Sequence, residues 1–149
     1  WNADETLAAV EAAIGRARAA GVPVVLVQHV ADASRGIAPF FNAGTPGVDI
    51  HPRILAAAPG APVVVKSFAD SFHQTALEET LAGLGGTALL LCGVMTQNCV
   101  THTALSKGAE KYTVSVLADC CTTVSQILHL IALNALSTRV ALPKADAAL

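Results

Sequence analysis

At 149 residues the chain suits a single domain, 1–149, long enough to bury a core without disulfide or metal staples. Its 53% hydrophobic and 13% charged residues leave little charge to cover a free surface, which predicts burial in a homo-oligomer, a dimer or tetramer. A net charge of -2 provides no basic stripe and excludes nucleic acid as a partner class, and no run of 18 uninterrupted apolar residues suggests a membrane span.

In chain order, Asp4 to Ala20 carries Leu7, Val10, Ile14 and Ala17 at helical spacing, with Gly21 as a C-terminal stop. Val22 to Val27 is continuous rather than alternating, as in a strand buried on both faces, with Pro23 near its start. From Ala31 to Pro59, Gly, Pro, Asn and Asp predominate without period, so a long loop with one helical turn near Ile54 is expected. Ala61 to Lys66 is the next strand. Thr75-Ala76-Leu77-Glu78 has the form of a capping box and opens a helix to about Leu84, ended by Gly85-Gly86. A strand over Thr87–Cys92, a helix over Asn98–Lys107, a strand over Tyr112–Ala118, a helix over Val124–Leu136 and a short strand over Arg139–Leu142 complete the pattern. Apolar strands alternating with helices predict a three-layer, Rossmann-like α/β/α fold with a mostly parallel sheet and helices on both faces. Such a sheet ordinarily opens on a central strand, whereas this sequence opens on a helix, so the first strand is expected to be absent from it.

The chemistry concentrates where strands end. Leu89-Leu90-Leu91-Cys92 runs into Gly93-Val94-Met95-Thr96-Gln97-Asn98-Cys99-Val100, which delivers Cys99 at a helix start, where backbone N–H groups favour a negatively charged sulfur and a nucleophile. Val63-Val64-Val65-Lys66 brings a cation to another strand end. Both have plainer readings: a buried cysteine is commonly a small hydrophobe, and Lys66 can snorkel along the sheet edge to water. Cys92, inside a strand, reads as core, and Cys120 and Cys121 as structural. With neither zinc-type pairing nor a plausible bridge, the four cysteines predict a reducing, cytoplasmic setting. Asp119 reads as a turn cap, a loop anchor or a ligand contact. His29, Asp32 and His51 would have to converge to hold a metal, and their spacing does not suggest it, so none is expected. His73, His102 and His129 share no spacing and read as surface or capping residues. Ser67, Ser71 and Thr96 lack the G-x-S-x-G elbow, and Thr96 reads as orienting its turn. Gly44-Thr45-Pro46-Gly47 lacks the Gly-Lys-Ser/Thr ending of a phosphate loop.

Taken together, Lys66 with the Ser67-Phe68-Ala69-Asp70-Ser71-Phe72 that follows it, Gly93 to Val100, the loop Gly44 to Pro52, and Leu117-Ala118-Asp119-Cys120-Cys121-Thr122-Thr123 resemble the isochorismatase-like cysteine hydrolase family over residues 5 to 142. The resemblance implies a triad of Asp, Lys and Cys in which Cys99 is the nucleophile and Lys66 the lysine. It implies a cis peptide between Val94 and Met95, and an oxyanion hole from the N–H groups of Met95 and Cys99. Thr96, Phe68 and Phe41 are candidates for contact with a small-molecule substrate. The family's aspartate ends a strand ahead of the first helix. Asp4, at the start of that helix, does not substitute for it. Gln28-His29-Val30-Ala31-Asp32 stands where nicotinamidase-like members carry an Asp-Trp-His-Pro type metal segment, which disfavours nicotinamide. The expected function is a metal-independent amidohydrolase without cofactor, acting on amide or carbamoyl C–N bonds. The alternatives are vinyl-ether hydrolysis, which needs no cysteine, and a non-catalytic binding or scaffold role.

Overall fold

The computed structural model describes all residues, 1–149. Helix α1 (Ala3–Ala19) ends where Gly21 takes a left-handed conformation, as its sequence requires. Strand β1 (Leu26–His29) starts later than the apolar run suggests, because the donorless Pro23 delays pairing until Leu26 N–H reaches Pro62 O. The long loop carries one short α-helix, α2 (Pro52–Ala57), and two 3-10 turns (Ala33–Arg35 and Pro46–Val48), and is closed on itself by an Ala31–Asn42 bridge and by Gln28 Nε2 donating to Val48 O at 2.9 Å. Strand β2 (Val63–Lys66), helix α3 (Leu77–Leu84), strand β3 (Ala88–Val94), a π-helical turn (Thr96–Val100) continuing into helix α4 (Thr101–Ala104), strand β4 (Thr113–Thr122), and helices α5 (Gln126–Leu136) and α6 (Ala145–Ala148) follow.

The strands form two parallel pairs, β1–β2 and β3–β4, that are not hydrogen-bonded to one another. The two faces of β4, whose alternation is reset by a register shift between Val116 and Cys121, build the layers. Val116, Cys121 and partly buried Leu91 of β3 pack against Val100 and Ala104 of the turn and α4 and against Leu136 of α5. Leu117 and Cys120 point the other way, onto Ala13 of α1 and Ala145 of α6. The β1–β2 pair is packed through Leu26 against Ile14 and Ala58.

Several local expectations need correction. Val27 and the alternate β2 residues Val63 and Val65 are exposed, so β1 and β2 are not buried on both faces. The Arg139–Leu142 strand reduces to one bridge, Ser115 to Ala141. No capping box forms at Thr75: its hydroxyl donates to Ser71 O and accepts only from Leu77 N, while Glu78 turns to Lys111. Cys92 is exposed rather than core. No helix is long and apolar enough to cross a membrane.

Candidate active site

The register of β1 on β2 pairs His29 with Lys66, so both strands release a polar side chain at the same carboxyl edge. Lys66 is only 4% exposed, and its burial is matched by three acceptors for its three hydrogens: Phe68 O at 2.8 Å, Ala69 O at 2.8 Å and His29 Nδ1 at 3.2 Å. Accepting at Nδ1 places the His29 ring proton on Nε2. No carboxylate forms an ion pair with Lys66. The snorkelling alternative for Lys66 therefore fails; the amine turns inward.

From the other sheet pair, β3 ends at Val94, the Val94–Met95 peptide is cis, and the π-helical turn presents Cys99 with its Sγ 3.7 Å from the same His29 Nδ1. Sulfur and amine thus converge on one imidazole nitrogen, no further apart than those two distances together. Cys99 is 7% exposed. The Met95 carbonyl accepts from Asn98 N–H at 3.0 Å and Val100 N–H at 3.3 Å, while the Met95 N–H enters no backbone bond of the turn. Burial, aided by the Lys66 charge, holds the His29 imidazole below its ordinary pKa of 6.5.

The lysine segment and the cysteine helix are pinned together. Ser71 N–H donates to Thr103 Oγ1 at 3.0 Å, the Thr103 hydroxyl donates to Ser71 Oγ at 2.8 Å, and Ser106 Oγ donates to Asp70 Oδ2 at 2.8 Å. Because Phe68 O and Ala69 O belong to that clamped segment, the amine's position depends on α4 as well as on β2.

Other candidates fall variously. Phe41, at φ 63°, stacks its ring 5.3 Å from His29, and Phe68 lies edge-on to His73 at 4.5 Å with the Arg35 guanidinium 4.9 Å above it. Of the two rings, Phe41 is thus the one in contact with a site residue, His29. Thr96 has no exposed surface; its hydroxyl meets His129 Nδ1 at 2.9 Å, inside the protein, where a substrate has no access. Asp119 anchors the start of α6, accepting from Ala145 N–H at 3.0 Å. Asp32 is occupied by Ser34 and Arg35, His51 Nδ1 accepts from Arg53 N–H, and no three His, Cys, Asp or Glu side chains share a point. A cleft of about 340 Å³ lies at the opposite strand ends beside Val22, Pro62 and Leu84 and touches none of these groups.

Along the sequence His29 reads only as a possible metal ligand and His129 as a surface or capping residue. Parallel in-register pairing of the two strands would have found His29. His129 had no local signal, since its partner lies 33 positions away.

The fold and site define a parallel α/β domain with a thiol and an amine held at the carboxyl ends of its strands. The Isochorismatase domain model matches residues 1–144, and the chain belongs to that family. It is 34% identical over 108 residues to an uncharacterized isochorismatase family protein, YddQ, of Bacillus subtilis (72% of this chain, 58% of the relative). It is 37% identical over 105 residues to a streptothricin hydrolase of Streptomyces noursei (69% of this chain, 39% of the relative). Its fold superposes with a TM-score of 0.87 on an isochorismatase-like hydrolase from Alkaliphilus metalliredigens at 23% identity, covering 99% of this chain and 85% of that one. The matches to the two sequence relatives span only about half their lengths.

Proposed function

We propose that this domain is a cysteine hydrolase that cleaves the C–N bond of a small amide or carbamoyl compound. The observation that carries the reading is the convergence of Cys99 Sγ and Lys66 Nζ on His29 Nδ1. The 37% identity to a streptothricin hydrolase supports hydrolytic chemistry.

In the proposed cycle Cys99 Sγ, having given up its proton, adds to the substrate carbonyl. The C=O π pair moves onto oxygen, toward the N–H groups of Met95 and Cys99. Collapse breaks the C–N bond, the nitrogen leaves with the proton taken from the thiol, and a thioester remains on Cys99. Water then adds, the C–S bond breaks, the acid departs and the thiol is restored. Lys66 holds the local charge balance, and His29, crowded by Lys66, stays neutral and orients the amine; for the carrier of the proton the resemblance implies an aspartate. The four free cysteines suit a reducing compartment, and the cytoplasm is the proposed location.

Intact-protein mass spectrometry after mixing with p-nitrophenyl acetate tests the reading. An acyl adduct mapped to Cys99, a burst of nitrophenolate and loss of both in Cys99→Ala are expected. Turnover that survives Cys99→Ala overturns it.

A further inference from the structure

His129 is the one buried histidine that the proposed cycle does not use. It sits in the first turn of α5, 6% exposed, and places Nδ1 2.9 Å from Thr96 Oγ1. Thr96 opens the π-helical turn immediately after Met95 and is wholly buried, so in the folded protein the imidazole, not water, is the partner of its hydroxyl. The same residue is gripped at its carbonyl, which accepts from the Thr101 hydroxyl at 2.6 Å. Between them, these two bonds fix the stretch that carries the Met95 and Cys99 N–H groups. The His129 ring is itself held on its other side, 5.3 Å from the Trp1 indole, at the edge of a cavity of about 200 Å³ bounded by Trp1, Glu5, Asp119 and Cys121. The anchor for the turn is thus a side chain on a different helix.

We infer that His129 is a positioning residue: its hydrogen bond to Thr96 sets the orientation of the Met95–Cys99 turn and hence of the N–H groups that receive the developing oxyanion. This rests on the cysteine hydrolase reading above, but makes a separate statement about the turn that can be read without turnover. A displacement of well under a side chain's length at such donors is enough to cost orders of magnitude in rate.

The test uses the full chain, p-nitrophenyl acetate and four variants: His129→Leu, His129→Asn, Thr96→Val and the double variant His129→Leu/Thr96→Val. His129→Leu is expected to lower kcat about 10- to 100-fold with KM changed less than about threefold, because the loss falls on the transition state. His129→Asn, whose amide reaches the place of Nδ1, restores kcat to within about threefold of the parent. Thr96→Val reproduces the loss, and the double variant is no worse than either single, since both remove one bond. Alkylation of Cys99 by iodoacetamide stays unchanged, which separates a misplaced turn from a damaged nucleophile. Hydrogen exchange over the peptide containing residues 95–101 is expected to speed up in His129→Leu and return in His129→Asn. Unchanged exchange in a folded His129→Leu overturns the positioning role, as do additive losses in the double variant or failure of His129→Asn to rescue. If the parent gives no Cys99 adduct while exchange follows this pattern, the hydrolase reading fails and the anchoring of the turn by His129 stands.

Discussion

A lysine buried to 96% with no carboxylate beside it is expensive unless each of its hydrogens finds an acceptor, and Lys66 finds three. The third is an imidazole, and that choice has a consequence for acid sensitivity. His29 and His129 both have pKa values below the ordinary 6.5, each chiefly through burial, with Lys66 adding to the effect at His29. On acidification the unfolded chain takes up protons near 6.5 while the folded imidazoles still refuse them. The unfolded state therefore binds more protons in that window, and stability rises with pH across it. The stability due to the neutral imidazoles is complete above 6.5 and is lost as pH falls from there through the lower folded values. Thermal melts of the parent should show Tm level above this window and falling below it, with a shallower slope in His29→Asn. A Tm that rises on acidification would contradict the assignment.

At the scale of elements, two glycines with opposite surroundings make a paired prediction. Gly108 lies in the turn that leads to β4, against the clamp segment. A Cβ there would sit 2.7 Å from Phe72 Cγ, 2.8 Å from Cδ1 and 2.9 Å from Cβ, and the near end of a side chain cannot swing aside. Gly108→Ala should cost about 1–3 kcal/mol in urea unfolding. Gly83 lies within α3, where an added Cβ meets nothing within 4 Å, so Gly83→Ala gains helix propensity and should stabilise by about 0.5–1 kcal/mol. Equal shifts for the two variants would show that packing of Phe72 on the turn is not what holds glycine at 108.

For the molecule as a whole, helix α5 presents one of the exposed apolar surfaces. Helix α5 contains no charged residue, and Ile127, Leu130 and Ile131 on its outer face are each more than half exposed, joined by Val124 just before it. A face of that kind pairs with a copy of itself without desolvating charge, and the absence of flanking lysines or arginines within the helix argues against a lipid surface. We expect a homo-oligomer formed through this face. Sedimentation velocity should show the parent as a dimer or larger, and Ile127→Glu with Ile131→Glu as a smaller species. A parent that sediments as a monomer would overturn the expectation.

Much of this architecture was legible along the chain. Helical spacing up to Ala20, apolar runs ending at Lys66 and ahead of Gly93, and the glycine stops are short-range signals, because a side chain's exposure in a helix or strand repeats every few residues. They also marked Lys66 and Cys99, since both follow directly from where a strand stops. Cys92 and the Thr75 cap differ from their local signals for the same reason: each looks settled by its neighbours, while the outcome lies with residues elsewhere in space. Only the tertiary structure could bring His29 to Cys99 across 70 positions and His129 to Thr96 across 33. The amino-acid sequence by itself determined which residues stand at the ends of strands. The packing of two parallel pairs and of α5 decided which of those ends meet, because contacts between distant segments leave no period in the sequence.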